Sequence, residues 1–188
     1  MGCSTRTRPK HHTYLLNIVK PHSHYRTRFG VEDADLTTSF LSHSANPNME
    51  CVLDITPLSA AFQYAPLPVI RMLFDHGGCI EFGQLLDYAV WRDMDDHLEV
   101  LAYIFSKGPP INAVQYHNRP DCYAQRRAFG LATPLHGAAA RGDLEAVRLL
   151  VQHGAWTSTK DSLGQLPLER AKRNRHDAVA EFLRPLTR

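Results

Sequence analysis

Apolar and polar positions alternate with a helical period over residues 133–153, in two short blocks divided by Gly142 and Asp143. In the first block, Leu135, Ala138 and Ala139 lie three or four residues apart, which places one large and two small side chains on one helix face. The second block has comparable spacing at Leu144, Val147, Leu149 and Leu150. The pattern predicts two short helices that pack against neighbours through these faces.

The ends of both blocks carry residues that favour helix boundaries. The hydroxyl of Thr133 can accept a hydrogen bond from a free amide of the first turn. Pro134 suits the first helical position, where its missing N–H costs nothing. Gly154 follows the second block and can adopt the left-handed conformation that often ends a helix. Residues 133–154 are therefore predicted to form a helix–turn–helix unit.

This unit recurs earlier in the chain. Thr56, Pro57 and Leu58 open a second copy that ends at Gly77, and the Thr-to-Gly distance is 21 residues in both copies. A single helix pair cannot bury its apolar faces alone, whereas stacked neighbours can. The recurrence therefore predicts an array of similar units.

Further copies are less regular. Gly164, Pro167 and Leu168 open a last copy, in which Leu168 lies 33 residues after Leu135. Residues 40–46 look like the end of a degenerate first copy. Between the clear copies, residues 82–112 lack Thr-Pro and need about three extra residues near 93–96 to align both helices.

An insertion follows this altered copy. Leu86 and Leu135 are 49 residues apart instead of 33, so 16 extra residues fall within 113–130. Long loops inside compact arrays tend to be functional or disordered, and Tyr and Arg are enriched in interface hot spots. The insertion is thus the candidate partner-binding element, against the alternative of a mobile loop without a role. The candidate binding residues, with one exposed-looking aromatic from the following repeat, are Tyr116, His117, Arg119, Tyr123, Arg126, Arg127 and Trp156.

The repeated unit resembles the ankyrin repeat, whose period is about 33 residues and whose signature includes Thr-Pro-Leu-His followed by Ala. The resemblance covers roughly residues 31–186 and departs from the signature at 82–112. The residues that match or replace signature positions are Thr56, Pro57, Leu58, Gly77, Thr133, Pro134, Leu135, His136, Gly154, Gly164, Pro167 and Leu168.

The resemblance implies an all-α ankyrin-repeat solenoid of stacked helix–turn–helix units with short β-hairpin loops. Its expected organisation is a basic N-terminal segment, partly disordered or a degenerate cap, over 1–30, followed by an array over 31–186. The array would comprise a degenerate repeat at about 31–48, repeats at 49–81 and 82–112, the insertion loop at 113–130, and repeats at 131–161 and 162–186.

The resemblance also implies a concave surface that grips partner proteins and a structural hydrogen-bonding role for His136. A non-catalytic interaction scaffold or adaptor is therefore expected, acting as a monomer and without a cofactor. The alternative is an accessory or regulatory subunit of an enzyme or biosynthetic pathway. The net charge of +2 does not call for a nucleic-acid partner.

Catalytic and metal chemistry find little support in the sequence. The histidine pairs at 11–12 and 22–24 have no cysteine partner at zinc spacing. A nucleophile–base set could be drawn from Cys122, His117 and Asp121, but all three share one loop without a rigid scaffold. We therefore expect neither an enzyme nor a metal site.

The apolar runs, the N-terminus and the cysteines indicate the cellular compartment of the protein. No run approaches the roughly 18 apolar residues that span a bilayer, and no signal-peptide core is present, which predicts a soluble protein of the cytoplasm or nucleus. The four widely spaced cysteines are accordingly expected to be reduced. Gly2 and Cys3 would suit dual acylation and membrane tethering, although the myristoylation signal has Arg6 where Ser or Thr is required.

Overall fold

The computed structural model describes residues 31–50 and 53–187, which divide into two compact units at Gly83 and Gln84. The N-terminal segment, with the candidate acylation residues Gly2 and Cys3, lies outside the described residues.

Three helices of the first unit lie wholly within the described residues, and two of them start at side-chain caps. The carboxylate of Asp33 accepts hydrogen bonds from the amides of Asp35 and Leu36 at 2.9 and 3.0 Å, which caps the first helix. Thr56 and Ser59 cap the second helix reciprocally, through the Ser59 amide to the Thr56 hydroxyl at 3.1 Å and the reverse pair at 3.0 Å. The helices are α1 (Ala34–Ser42), α2 (Pro57–Tyr64) and α3 (Leu67–Asp75).

The second unit contains seven helices and two short 3₁₀ turns among its described residues. The helices are α4 (Leu85–Val90), α5 (His97–Phe105), α6 (Pro120–Arg126), α7 (Pro134–Arg141), α8 (Leu144–Gln152), α9 (Pro167–Arg173) and α10 (Asp177–Leu183). The 3₁₀ turns are Arg127–Phe129 and Arg184–Leu186.

These helices pack as a stack of pairs. Helix α7 packs against α8 within its pair and against α4 and α9 on either side, and α8 contacts α5 and α10. The apolar faces predicted from the sequence form this core, with Leu135, Ala138, Val147 and Leu150 at most 1% exposed. Burying a Val or Leu side chain contributes about 1.5–3 kcal/mol, and the small alanines let neighbouring helices approach closely.

The all-α fold class is confirmed, with one difference in the connections. Residues 31–50 and 53–187 contain no β-strand, so the expected β-hairpins are turns. The clearest one is closed by the Asp161 amide, which donates to the Gln165 carbonyl at 2.8 Å. Its Asp161 side chain also accepts from the amides of Leu163 and Gln165, and these bonds fold the loop back on itself without a strand ladder.

The cysteine prediction is wrong for Cys79. Cys79 is disulfide-bonded, whereas Cys122 is half-buried and forms no disulfide. The wide spacing along the sequence did not reveal that the fold brings Cys79 close to another thiol. In the part of the chain that the structure describes, no helix has the length and apolar character to cross a membrane.

Candidate partner-binding surface

A buried histidine links two consecutive units. His136 is fully buried, and its Nδ1 atom accepts from the amide of Thr133 at 3.3 Å and lies 2.8 Å from the Thr133 hydroxyl. Because Nδ1 accepts, Nε2 carries the proton and donates to the Gln165 carbonyl at 3.0 Å. Burial lowers the pKa of His136 to about 4, so the ring is neutral near pH 7. The histidine thus joins α7 to the turn that precedes α9.

Ser59 makes the corresponding bond in the first unit. Its hydroxyl donates to the Gly83 carbonyl at 2.6 Å. Gly83 has φ +78°, and a Cβ there would overlap the side chains of Ser59 and Thr56, so this turn requires glycine. In the altered third copy the same position is held by Asp87, whose pKa burial raises well above its usual value.

A buried ion pair holds the turn after α8. Asp161 accepts from Nε and an η-nitrogen of Arg170 at 2.9 and 2.6 Å, and the same η-nitrogen donates to the Gly130 carbonyl at 2.6 Å. Burial acts to raise the pKa of Asp161, but hydrogen bonds from Gln165, Arg170 and Leu163 outweigh it, so the pKa is lowered. The carboxylate and guanidinium neutralise each other while they fix the loop.

The insertion is fastened to the array at both ends. Near its start, the amide of Gln115 donates to the Ala132 carbonyl at 3.0 Å. Near its end, the Ser162 hydroxyl donates to the Arg127 carbonyl at 2.5 Å, and the Ser162 amide donates to the Leu131 carbonyl at 2.8 Å. Both ends of the insertion are therefore bonded to the repeats at defined points.

Helix α6 lies between these anchor points and contains no buried residue. Tyr123 and Arg126 are half-buried on it, and Arg127 is exposed directly after it. A helix of seven residues is marginal in water unless it packs a face against something else. Bonds at the two ends of the insertion, more than a buried apolar core, therefore position helix α6 at the surface.

The other candidate binding residues lie on either side of this helix. Tyr116 has φ +61°, a left-handed conformation that is unusual for a bulky side chain, and is half-buried, as is Arg119. His117 is exposed between them. Trp156 is 65% exposed, and its amide donates to the side chain of Asn112 at 2.8 Å. The structure thus brings Trp156 beside the residue that precedes the insertion.

Two exposed apolar side chains were not among the predicted site residues. Phe129 is 81% exposed at the end of the insertion, and Leu163 is 54% exposed on the next turn. Phe129 belongs to the insertion and carried a visible signal as an aromatic residue among arginines. Leu163 carried none, since only the fold places it next to Gly130.

An open groove of about 480 Å³ lies at the α4–α5 and α7–α8 turns, lined by Arg92, Asp93, Met94, Asp95, His97, Arg141, Gly142 and Asp143. Its charges are largely paired. Arg92 binds Asp96 at 2.7 Å, His97 lies 3.1 Å from Asp143, and Arg141 donates to the carbonyls of Val90 and Arg92 at 2.8 Å each. The groove is thus a consequence of helix capping and ion pairing. Within 31–50 and 53–187, no group of three His, Cys, Asp or Glu side chains is placed to hold a metal.

The pairwise stacking, the Thr133–His136–Gln165 link and the glycine-ended helices coincide with a match to the family model described as ankyrin repeats (3 copies), over residues 112–186. Residues 112–186 of this chain are ankyrin repeats. Ankyrin repeats are a protein–protein interaction module and are generally non-enzymatic.

Two curated proteins match shorter stretches of the chain. The ARF GTPase-activating protein Git of Drosophila melanogaster is 42% identical over 53 residues, which cover 28% of this chain and 7% of that protein. The cyclin-dependent kinase inhibitor 2A of Monodelphis domestica is 38% identical over 58 residues, which cover 31% of this chain and 34% of that protein. The chain therefore spans about a third or less of the length of these relatives.

Proposed function

We propose that this chain is a non-catalytic adaptor that binds another protein through its ankyrin-repeat surface and the inserted segment 113–130. One observation carries the proposal: no residue of helix α6 is fully buried, yet the segment around it is anchored to the repeats through Gln115 and Arg127. An element held in place without a core of its own suits presentation to a partner, because little ordering entropy remains to be lost on binding.

The proposal is tested by trimming residues 114–128 to a short Gly-Ser linker. The full chain and the trimmed chain are used in parallel affinity purifications, and captured proteins are quantified by mass spectrometry. We expect capture of the specific partner to fall at least tenfold with the trimmed chain, while circular dichroism shows a loss of helical signal no larger than the seven residues of α6 account for. Capture of the same protein at the same level would contradict a binding role for the insertion.

A second candidate is an accessory subunit that regulates an enzyme. It is favoured by the names of the two relatives, one a GTPase-activating protein and the other a kinase inhibitor. The captured partner separates the two functions: an enzyme whose rate changes on binding supports the regulatory subunit, whereas a partner without a measurable rate change supports the adaptor. Incorporation of a myristate analogue at Gly2 would add membrane tethering to either function.

A further inference from the structure

Resting on the proposed adaptor function, we propose that Phe129 and Leu163 form the apolar centre of the binding surface, and that its ligand is an acidic segment of another protein carrying a large apolar side chain. Phe129 and Leu163, together with the nearby cations Arg127 and Lys160, are called the tip patch below.

The backbone next to Phe129 lies against Leu163. A Cβ placed on Gly130, the residue after Phe129, would lie 3.1 Å from Cδ1 of Leu163. Single exposed apolar residues are ordinary on protein surfaces, but Phe129 and Leu163 expose 81% and 54% of their area on two loops that touch, and clustered exposed apolar residues mark interaction sites more often. The tip patch is thus an apolar feature shared by two loops that are far apart in sequence.

Both loops are held rigidly at this point. Ser162 bonds to the carbonyls of Arg127 and Leu131, and Arg170 donates to the Gly130 carbonyl. The loop that carries Leu163 is fixed in turn by the Asp161 carboxylate. Since the backbone on both sides is already ordered, a ligand that covers the patch gains the apolar contact without paying to assemble it.

The charge around the patch selects the partner. Residues 113–130 and 156–175 contain eight lysines and arginines and three acidic residues, whereas the whole chain has 21 basic and 19 acidic residues. These two stretches of sequence therefore carry +5 in formal charge, and the rest of the chain −3. Of the three acidic side chains, Asp161 is already paired with Arg170. Unpaired positive charge at Arg127 and Lys160 favours a ligand with carboxylates on either side of its apolar residue.

A protein ligand fits the patch better than a nucleic acid. Single-stranded nucleic acid binds on successive aromatic rings along a basic groove. The tip patch has one aromatic ring, and its neighbour Leu163 is aliphatic and offers no stacking surface. An aromatic beside an aliphatic side chain instead suits insertion of an apolar anchor from a peptide.

The probe is a displayed library of random 16-residue peptides selected on the full chain, with the best binders synthesised with a fluorescent label. We expect the selected sequences to place Asp or Glu beside Leu, Ile, Phe or Trp. Their affinity should fall at least tenfold for the Phe129→Ser/Leu163→Ser and Arg127→Glu/Lys160→Glu double variants, and should weaken as salt is raised. Circular dichroism verifies that each variant is folded.

Matched controls are Leu98→Ser, another exposed apolar residue, and Arg184→Glu, an exposed arginine remote in sequence, both expected within twofold of the parent. The inference is overturned if no peptide is selected, if the selected peptides lack acidic residues, or if a 20-nucleotide oligothymidylate binds more tightly than any of them. Peptides that bind the patch variants normally but not the chain trimmed at 114–128 would overturn the inference and leave the adaptor function standing. Peptides unaffected by either change would overturn both.

Discussion

At the scale of single residues, His136 couples the stability of the array to pH. Its pKa is about 4 in the folded protein, against an ordinary value of 6.5. Between these values the unfolded chain takes up a proton that the folded chain does not, so the free energy of unfolding falls as pH falls. This contribution is complete above pH 6.5 and is lost progressively down to about pH 4. Integrated between pH 7 and pH 5, it amounts to about 2 kcal/mol.

The prediction is therefore that His136→Asn reduces the loss of stability between pH 7 and pH 5 by about 2 kcal/mol relative to the parent chain. Urea unfolding at the two pH values measures it. His117→Asn is the matched control, because it removes an exposed histidine from the insertion. An identical pH dependence in His136→Asn and the parent would show that another group titrates.

At the scale of single residues, the sequence predicted only the helix ends and contacts that belong to the repeat signature. The positions of Thr133, Pro134 and Gly154 followed from helix-end chemistry, and the link through His136 followed from the resemblance. The Asp161–Arg170 pair did not, because its two side chains meet only after a turn and a helix have folded. Nor did the bond from Arg141 to the Val90 carbonyl, which crosses 51 residues of sequence.

At the scale of elements, the helices differ in how many of their residues are buried. Helices α7 and α8 contain residues at or near zero exposure, whereas α6 contains none. The sequence located the insertion through a count of residues, yet gave no sign of a helix within it, since residues 120–126 lack an apolar face with helical period. Helix α6 is held in place by contacts from other loops, such as the bond from Ser162. Hydrophobic periodicity within residues 120–126 cannot reveal such contacts.

This difference predicts uneven hydrogen exchange. The amides of α6 should exchange by local opening, far faster than those of α8, whose exchange requires larger unfolding. Exchange measured by mass spectrometry on the free chain should resolve peptides from 120–126 and 144–152. Addition of a saturating selected peptide should slow exchange near residues 127–129. Equal protection of α6 and α8 in the free chain would mean that α6 has a packed face after all.

At the scale of the whole molecule, the repeats are connected by recurring side-chain bridges. Asn48 donates to the Gly77 carbonyl at 2.7 Å and accepts from the Cys79 amide at 2.8 Å in the first unit. Asn112 does the same in the second unit, donating to the Gly154 carbonyl at 3.0 Å and accepting from the Trp156 amide at 2.8 Å. Each asparagine side chain bonds two backbone groups at the end of the following helix pair. The folding of neighbouring repeats is thereby coupled.

Removing one bridge should therefore weaken coupling as well as stability. Asn112→Ala deletes two hydrogen bonds, each of which contributes about 0.5–1.5 kcal/mol, so we expect a loss of about 2 kcal/mol in the free energy of unfolding. Because stability in repeat arrays combines the stability of each repeat with that of each interface, weaker coupling should also broaden the urea transition and lower its slope.

Tryptophan fluorescence and circular dichroism followed through the same urea titration measure both effects, and the two signals should separate in the variant as cooperativity falls. Asn118→Ala is the matched control: its side chain is exposed in the insertion, and the substitution should leave midpoint and slope unchanged. If Asn112→Ala behaved like this control, the bridge would be an incidental contact, and coupling between these repeats would rest on the apolar interface and on bonds such as those from Arg141 to the carbonyls of Val90 and Arg92.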